Sequence, residues 1–268
     1  MISLPDSGLH DSEALTLLRQ YLDWGVDCAL DEEGISRFGE VSLRRVIPAP
    51  PPTASVVSSA SRVPQQDADD DRRFARASSL EELAAIIRAV SDFPLARTAT
   101  HPVLPIHVPG SNLMIIGETP NADEDRSGIP LAGETSELLG QLLGTIGLNI
   151  AAQSRMAALP WRPPGGRDAS PLEMRYGRPA LERAIALIRP RRLVVLGGTA
   201  IRMLLGETAS PARVRGKWTD VRIDSLGTVP TLGLRHPLQI RTSAAARRDM
   251  WKDLLLLAET LDLPVFGA

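Results

Sequence analysis

Two carboxylates and one histidine occupy the positions in this chain that best suit chemistry. Glu118 follows the apolar run 113–116 after a single glycine, and Glu124 lies in the polar segment that comes next. His236 comes just after a later apolar run, residues 229–234. A carboxylate can orient water or stabilise a cation, and an imidazole can donate to an oxygen that gains negative charge. These three side chains are therefore candidate catalytic residues.

Each candidate also has a structural interpretation. The run Asp123, Glu124 and Asp125 is typical of a solvated acidic loop. A lone histidine at the end of a strand is more often a structural hydrogen-bonding residue than a catalytic one. The spacing alone leaves both alternatives open. In a parallel sheet, ligands bind just beyond the carboxyl ends of the strands, which favours the chemical interpretation.

Alternating apolar and amphipathic segments supply the elements that would position these residues. Residues 113–116 and 193–196 are short apolar runs that suit strands buried on both faces. Residues 155–159 and 229–234 are two further strand candidates. Helical patterns occupy residues 136–146, 171–188 and 243–261. This alternation predicts an α/β fold with three layers, α/β/α, around a mainly parallel sheet.

Gly197 and Gly198 follow the clearest strand and precede Thr199, which can begin a helix. A glycine pair at this position can admit a phosphate to the helix N-terminus. Tight packing of the strand against the helix is the other explanation, and it is the one we favour. The phosphate interpretation corresponds to a nucleotide-binding α/β enzyme.

Composition and charge limit the functional classes. The 268 residues are 43% hydrophobic but only 4% aromatic, which predicts an aliphatic core. No apolar stretch approaches the roughly 20 residues that span a bilayer, and the N-terminus lacks a signal-peptide pattern, so we expect a cytoplasmic protein without membrane contact. Residues 151–250 hold 18 Lys and Arg against 7 Asp and Glu, although the whole chain has a net charge of -2. Such a basic half suits binding to phosphates.

The chain is expected to have three parts. Residues 1–46 contain an amphipathic pattern and form a predicted N-terminal helical arm. Residues 47–74 are rich in Pro, Ser and Ala, end in an acidic run and are typical of a linker. Residues 75–268 form the predicted compact domain, which we expect to be a monomer.

Four segments resemble one known family. The segment GETPNADEDRSGIPLAG, residues 117–133, resembles the first motif of the family 4 uracil-DNA glycosylases, and LPWRPPGGR, residues 159–167, resembles their WRPPGNR segment. Residues 189–206 resemble the family's central strand and the helix after it, and His236-Pro237 lies where the family has its HP motif. The four segments occur in the family's order, so the chain is identified as a uracil-DNA glycosylase-like protein.

The resemblance implies a uracil-DNA glycosylase-like fold with a four-stranded sheet, and a role in base-excision repair. Such an enzyme hydrolyses the N-glycosidic bond of uracil, or a related deaminated base, flipped out of DNA. It implies that Glu118 or Glu124 orients water and that His236 donates to the base. The implied base pocket contains Gly117, Pro120, Asn121, Leu131 and Ala157. The implied DNA contacts are made by Arg162, Arg167 and Arg241, with residues 237–241 entering the duplex.

Three positions depart from the family pattern. Leu131 replaces the phenylalanine on which the family stacks the flipped base, and Ala157 aligns with the asparagine that reads the uracil edge. Asn121 replaces a glycine. Stacking on an aromatic ring contributes roughly 1 to 3 kcal/mol per base, and loss of a polar contact removes discrimination. These departures predict weakened or altered specificity, or a homologue that binds DNA or a repair partner without catalysis.

The family commonly binds a [4Fe-4S] cluster, which this chain is not expected to hold. Its single cysteine, Cys28, cannot supply the four protein ligands that such a cluster takes. Near the family's cysteine positions the chain has Val90, Phe93, Trp161 and Gly177, none of which can ligate iron. We therefore predict no cofactor and no metal site.

Overall fold

A computed structural model describes residues 73–261, except for the side chains of Pro211 and Thr242. The predicted arm, residues 1–46, and all but the last two residues of the predicted linker lie outside the described residues. Phe74, which the sequence places in the linker, is fully buried and meets Tyr176 edge-on with ring centroids 6.3 Å apart. The packed domain therefore includes Phe74.

Within residues 73–261, five strands form one sheet in the order β2-β1-β3-β5-β4. The strands are β1 (Leu113–Gly117), β2 (Ser154–Ala157), β3 (Arg192–Leu196), β4 (Trp218–Ile223) and β5 (Gly227–Leu234). Strands β2, β1, β3 and β5 are parallel, and β4 pairs antiparallel with β5 at one edge. The prediction of a mainly parallel sheet is confirmed.

The predicted strand number, four, is wrong by one. The four expected strands are present, and β4 is the additional strand. Its burial alternates, with Val221 and Ile223 buried and Asp220 and Arg222 exposed, as expected of a half-solvated edge strand. A short turn containing Ser225 at φ 64° joins β4 to β5, and so short a connection permits only antiparallel pairing.

Helices cover both faces of the sheet. They are α1 (Leu80–Ala89), α2 (Pro94–Thr98), α3 (Ala122–Ser127), α4 (Glu134–Gly144), α5 (Pro171–Ile188), α6 (Gly198–Leu205), α7 (Pro211–Val214) and α8 (Ala244–Thr260). Apolar residues of α1, α5 and α6 share one core with Met114 and Ile116. Those of α4 and α8 share a second core with Leu113 and Ile115. Because neighbouring residues of β1 point to opposite faces, the sheet is the middle of three layers, as predicted.

The longest described helix, α5, shows how local sequence sets an element. Ser170 caps its first turn and Glu173 reaches back to the Ser170 N–H, completing a capping box, while Pro171 occupies the first turn. Its bounds agree with the predicted helix at 171–188. None of the described helices has the length and apolar character needed to cross a membrane.

Candidate active site

The carboxyl ends of three parallel strands meet beside one cavity. Glu118 follows β1, Gly198 follows β3 and His236 follows β5. They line a cavity of about 420 Å³ together with Glu124, and this volume lies within the range of roughly 300 to 1,000 Å³ typical of small-molecule sites. The structure thus brings the three predicted catalytic side chains to one cavity.

Gly197 makes room for the carboxylate of Glu118. A Cβ atom placed on Gly197 would lie 1.5 Å from Oε2 of Glu118, and Gly197 has a φ of +83°. The Thr199 N–H, at the start of α6, donates to Oε1 of Glu118 at 2.6 Å. A protein carboxylate therefore occupies the helix N-terminus where the sequence allowed a phosphate. The helix N-terminus that a nucleotide phosphate would need is therefore taken by Glu118, which argues against the nucleotide-binding alternative. Gly197 is needed because it allows the Glu118 carboxylate to come close.

Glu124 is held by backbone amides within the short helix α3. Asn121 caps this helix by accepting from the Glu124 N–H, and one Glu124 oxygen accepts from the Asn121 N–H at 2.8 Å. The other oxygen accepts from the Leu131 N–H at 2.6 Å. Burial raises the pKa of Glu124, and these two hydrogen bonds oppose that rise. Glu124 thereby ties the first turn of α3 to the segment that follows it.

The solvated acidic loop, kept above as an alternative, is wrong for two of its three residues. Glu124 and Asp125 are 4% and 7% exposed. Asp125 accepts hydrogen bonds from the N–H and the hydroxyl of Thr100 at 2.9 and 2.7 Å. Asp123 is exposed and pairs with Arg126 at 3.3 Å. The segment forms a helix because Asn121 supplies a capping side chain and the following acids suit the positive end of the helix dipole.

His236 presents one ring nitrogen as an acceptor. Its Nδ1 accepts from the Leu238 N–H at 3.4 Å, so in the neutral ring the proton is on Nε2, which is free to donate. Burial lowers the pKa of His236, and the charge of Glu118 partly opposes this. A neutral imidazole that donates through Nε2 is therefore the favoured state near neutral pH.

The predicted base-pocket residues divide into two groups. Asn121 lines the cavity, but its side-chain oxygen accepts from the Asp123 and Glu124 N–H groups. Leu131 is 2% exposed and Ala157 is fully buried, and neither belongs to the cavity lining. Gly117 and Pro120 are also buried outside the lining.

Leu131 packs against the end of β1 within the core rather than lining the cavity. Its φ is 57°, and its Cδ2 packs so closely on Gly117 that a Cβ atom there would approach it to 2.8 Å. The Glu124 carboxylate accepts from the Leu131 N–H and stabilises this conformation. The leucine therefore covers the end of β1 and offers the cavity no flat surface for stacking.

The three arginines predicted to contact phosphates have different surroundings. Arg167 pairs with Glu173 at 2.6 Å, and Arg241 pairs with Glu134. The Nε of Arg162 is buried and has no hydrogen-bond partner among the described residues. The side chains of Arg167 and Arg241 are 49% and 59% exposed, so both guanidinium groups still reach solvent. Contact with phosphates stays a prediction for all three.

Several residues that line the cavity were missed from the sequence. They include the charged side chains of Asp168 and Arg202, together with Thr119. Leu238 and Gln239 also line the cavity, although their segment, 237–241, was predicted to enter the duplex. Asp168 follows the WRPPGGR segment directly, and Leu238 and Gln239 follow His236, so proximity to the motifs was an available signal. Arg202 lies one turn into α6, and its Nη1 would lie 3.1 Å from a Cβ atom on Gly198. Nothing in the local sequence indicated that this arginine turns toward the cavity.

Residues 105–255 match the family model described as the uracil DNA glycosylase superfamily. This range contains all five described strands and every residue that lines the cavity, and it covers more than half of the 268 residues.

The chain belongs to the uracil DNA glycosylase superfamily.

Relatives of this superfamily member carry the name type-4 uracil-DNA glycosylase. The chain is 28% identical to that of Archaeoglobus fulgidus over 186 residues, which cover 68% of this chain and 92% of the relative. It is 29% identical to that of Pyrobaculum aerophilum over 186 residues, covering 66% and 92%. For Thermotoga maritima the identity is 27% over 165 residues, covering 61% and 84%. The family 4-like resemblance is thereby confirmed.

Aromatic rings fill the place where the family resemblance implies cluster ligands. Phe93 stacks on Tyr176 with ring centroids 3.8 Å apart and lies 5.6 Å from Trp161. Val90 and Gly177, at the remaining positions, offer no metal ligand. No three or more His, Cys, Asp or Glu side chains within residues 73–261 are grouped so that they could hold a metal ion. The residues at this place do not fit an iron-sulfur cluster.

The cavity of this uracil DNA glycosylase superfamily member combines opposite kinds of polar group. Glu118 supplies negative charge, while His236 can donate a hydrogen bond without carrying a charge. Arg202 adds a cation at the same cavity. Such a set suits cleavage of a bond in which positive charge develops on one fragment and negative charge on the other.

Proposed function

We propose that this protein is a DNA glycosylase that hydrolyses the N-glycosidic bond of uracil, or of a related deaminated base, flipped out of DNA. The observation that carries the proposal is the shared cavity of Glu118 and His236 at the carboxyl ends of β1 and β5. Membership of the superfamily and the similarity to proteins named type-4 uracil-DNA glycosylase support it. The reaction belongs to base-excision repair.

The proposed mechanism begins when the base leaves the stack and enters the cavity. As the glycosidic bond breaks, the sugar becomes cationic and the base gains negative charge. Glu118 stabilises the cation and orients the attacking water. His236 donates from Nε2 to an oxygen of the base and stabilises the developing anion. Donor geometry of this kind contributes about 100- to 1,000-fold to a rate.

Glu118 is a better candidate than Glu124 for the residue that orients water. Both oxygens of Glu124 accept backbone N–H groups, whereas Glu118 accepts the Thr199 N–H through Oε1 alone, and no donor among residues 73–261 bonds to its Oε2. We therefore assign the water to Glu118. Glu124 acts as a positioning residue that holds α3 and the Leu131 segment beside the cavity.

DNA binding is proposed for Arg162, Arg167 and Arg241, which lie in segments that follow β2 and β5. Arg162 and Arg167 flank the Pro-Gly segment after β2, and Arg241 is the second-last residue of the 3-10 segment Pro237–Thr242 after His236. Residues 237–241 are proposed to enter the duplex at the gap that the flipped base leaves. Phosphate contacts of this kind add affinity without sequence preference.

We propose that base recognition is weaker than, or different from, that of the family pattern. Leu131 and Ala157 are buried outside the cavity lining, so they offer neither a ring nor an amide to the base. The polar side chains that line the cavity are those of Glu118, Thr119, Asn121, Glu124, Asp168, Arg202, His236 and Gln239. We further propose that the enzyme is a cytoplasmic monomer that needs no metal and no iron-sulfur cluster.

A uracil excision assay tests the proposal. Oligonucleotides that contain one uracil, as duplex and as single strand, are incubated with the protein in large excess and then cleaved at abasic sites. We expect abasic product from the intact protein and a loss of at least 100-fold in Glu118→Gln. Complete absence of product with the intact protein would refute catalysis on uracil. Iron and sulfide analysis of the same preparation is expected to find neither.

The second candidate function is DNA or partner binding without catalysis, and the buried Leu131 and Ala157 favour it. A Leu131→Phe, Ala157→Asn variant separates the two. An increase in uracil excision would indicate a weakened glycosylase pocket. Unchanged DNA affinity with no excision in either protein would favour the binding protein.

A further inference from the structure

Helix α8 carries an exposed face that is both basic and aromatic. Arg247, Arg248 and Lys252 are exposed, and Trp251 exposes 39% of its surface. The opposite side of the same helix is buried in the core. We call these four residues the α8 basic face.

Helical geometry places the four side chains together. Trp251 lies four residues after Arg247 and three after Arg248, and residues at these spacings are neighbours on a helix surface. Long helical side chains lean toward the helix N-terminus, so the indole leans toward the turn that carries both arginines. Asp249 lies between them in sequence but pairs with Arg215 at 2.7 Å. Within residues 73–261, no carboxylate forms an ion pair with the three cations.

The α8 basic face follows directly from the cavity along the chain. His236 lines the cavity and caps the 3-10 segment Pro237–Thr242, of which Leu238 and Gln239 also line the cavity. Ser243, the next residue, caps α8 by accepting from the Ala246 N–H at 3.1 Å. The first turns of α8 are therefore tied to the rim of the cavity by a short, hydrogen-bonded connection.

We infer that the α8 basic face binds the DNA strand that continues from the extruded nucleotide, in single-stranded form. Its cations contact phosphates, and Trp251 stacks on an unpaired base. This inference rests on the proposed function of the cavity. Basic grooves that present aromatic side chains are the usual means of holding single strands. An acidic peptide would satisfy the cations but has no base to cover the indole, so DNA is the partner that the face fits better.

Binding to a uracil-free single strand of about 16 nucleotides, followed by fluorescence anisotropy, tests the face without requiring catalysis. We expect Trp251→Ala to weaken binding about tenfold and Trp251→Phe, which keeps a ring, to weaken it much less. The double variant Arg247→Ala, Arg248→Ala should reduce the slope of log affinity against log salt by about 1.4, which corresponds to two phosphate contacts. Thermal unfolding of each variant checks that it is folded.

The matched control is Arg88→Ala, Arg97→Ala. Both of these arginines are exposed, and α1 belongs to the core on the other face of the sheet from α8. The control should bind the strand as the unchanged protein does. Equal affinity of the α8 variants and the unchanged protein would overturn the inference. The inference would also be overturned if Trp251→Ala weakened the binding of an acidic peptide but left the affinity for DNA unchanged.

Excision from two lengths of substrate separates this inference from the proposed function. A uracil oligonucleotide of about 4 nucleotides is expected to show a smaller difference in excision between the unchanged protein and Trp251→Ala, because it leaves fewer nucleotides for α8 to bind. One of about 16 nucleotides should show an approximately tenfold lower kcat/KM in the variant. If the unchanged protein excises uracil from neither, the proposed function fails, and the anisotropy result still decides the α8 basic face.

Discussion

The carboxylate of Glu118 lies directly over Gly197, at a distance that no side chain at position 197 would permit. From there it accepts the Thr199 N–H at 2.6 Å. This contact joins the ends of two adjacent parallel strands, β1 and β3, on the floor of the cavity. It keeps a carboxylate at a fixed place through a backbone N–H and the dipole of α6.

Gly197→Ala should therefore remove activity and stability together. The new Cβ atom would lie 1.5 Å from Oε2 of Glu118, so the carboxylate must move away from Thr199. We expect the free energy of unfolding to fall by more than about 2 kcal/mol, and uracil excision to fall at least 100-fold. Gly206→Ala is the matched control, because Gly206 also has a positive φ, +107°, but open space around it. Both glycines combine a positive φ with an extended ψ, so the control should lose about 1 to 3 kcal/mol from backbone strain alone, less than Gly197→Ala, and keep its activity.

Glu118→Gln and Glu124→Gln are expected to have opposite profiles. Glutamine at 118 can still accept the Thr199 N–H through its amide oxygen, so stability should change little while excision falls about 100-fold or more. Glutamine at 124 has one acceptor oxygen for two N–H donors, those of Asn121 and Leu131. One of these donors is then unsatisfied, and unfolding free energy should fall by about 1 to 3 kcal/mol. Denaturant unfolding and excision assays on both variants measure the difference. Equal loss of stability would contradict the assignment of water to Glu118.

The titration of His236 should be centred below its ordinary value of 6.5. Burial disfavours the charged ring, and the negative charge of Glu118 partly restores it. Glu118→Gln should therefore lower the pKa of His236 further, which an NMR titration of the ring proton can follow. An upward shift in that variant would contradict the geometry.

The same pKa has a consequence for stability. The unfolded protein binds a proton at His236 more readily than the folded protein does, because the pKa of His236 is lowered in the folded state. The contribution of neutral His236 to the free energy of unfolding is therefore complete above about pH 6.5. It is lost as the pH falls through the lower, folded pKa. Unfolding measurements on the unchanged protein and His236→Gln across this range should converge toward acid pH. His236→Gln serves as the control because it does not titrate there.

Phe93→Ala should lower the free energy of unfolding by about 3 to 5 kcal/mol. Phe93 is 6% exposed and stacks on Tyr176, at a place where the family resemblance implies a metal cluster. Phe93→Leu, which keeps most of the buried volume, should lose much less. Leu172→Ala, at a side chain that is 59% exposed, is the surface control. A small effect of Phe93→Ala would mean that the aromatic cluster does not stabilise this part of the domain.

Arg202→Ala should weaken the interaction of the cavity with DNA. Arg202 supplies a cation among the lining carboxylates Glu118, Glu124 and Asp168. We expect KM for a uracil oligonucleotide to rise about tenfold and the salt slope to fall by about 1. Arg202→Lys should recover part of the loss, and Arg88→Ala should have no effect. A change in kcat alone would contradict a role in binding.

Much of the fold and half of the site could be predicted from the chain because their signals are local. The apolar runs of β1, β3 and β5 and the bounds of α5 depend on neighbouring residues, and the structure confirms them. Glu118 and His236 could be paired in advance because parallel strands bring their carboxyl ends to one edge. The edge strand β4 was missed because its alternating pattern is half polar and belongs to a local hairpin.

The remaining features depend on contacts between residues far apart in the chain. Arg202 reaches the cavity, Leu131 packs on Gly117, and Gly197 accommodates a carboxylate from 79 residues earlier. None of these has a sequence signal, because each depends on how close two separate segments approach after packing. The sequence determined the order of elements and the types of reactive group, through hydrophobic periodicity and residue chemistry. Only the tertiary structure decided which of these groups face the cavity and which form hydrogen bonds that stabilise the surrounding segments. The reason is that their hydrogen-bond partners lie on other segments, which come together only when the chain folds.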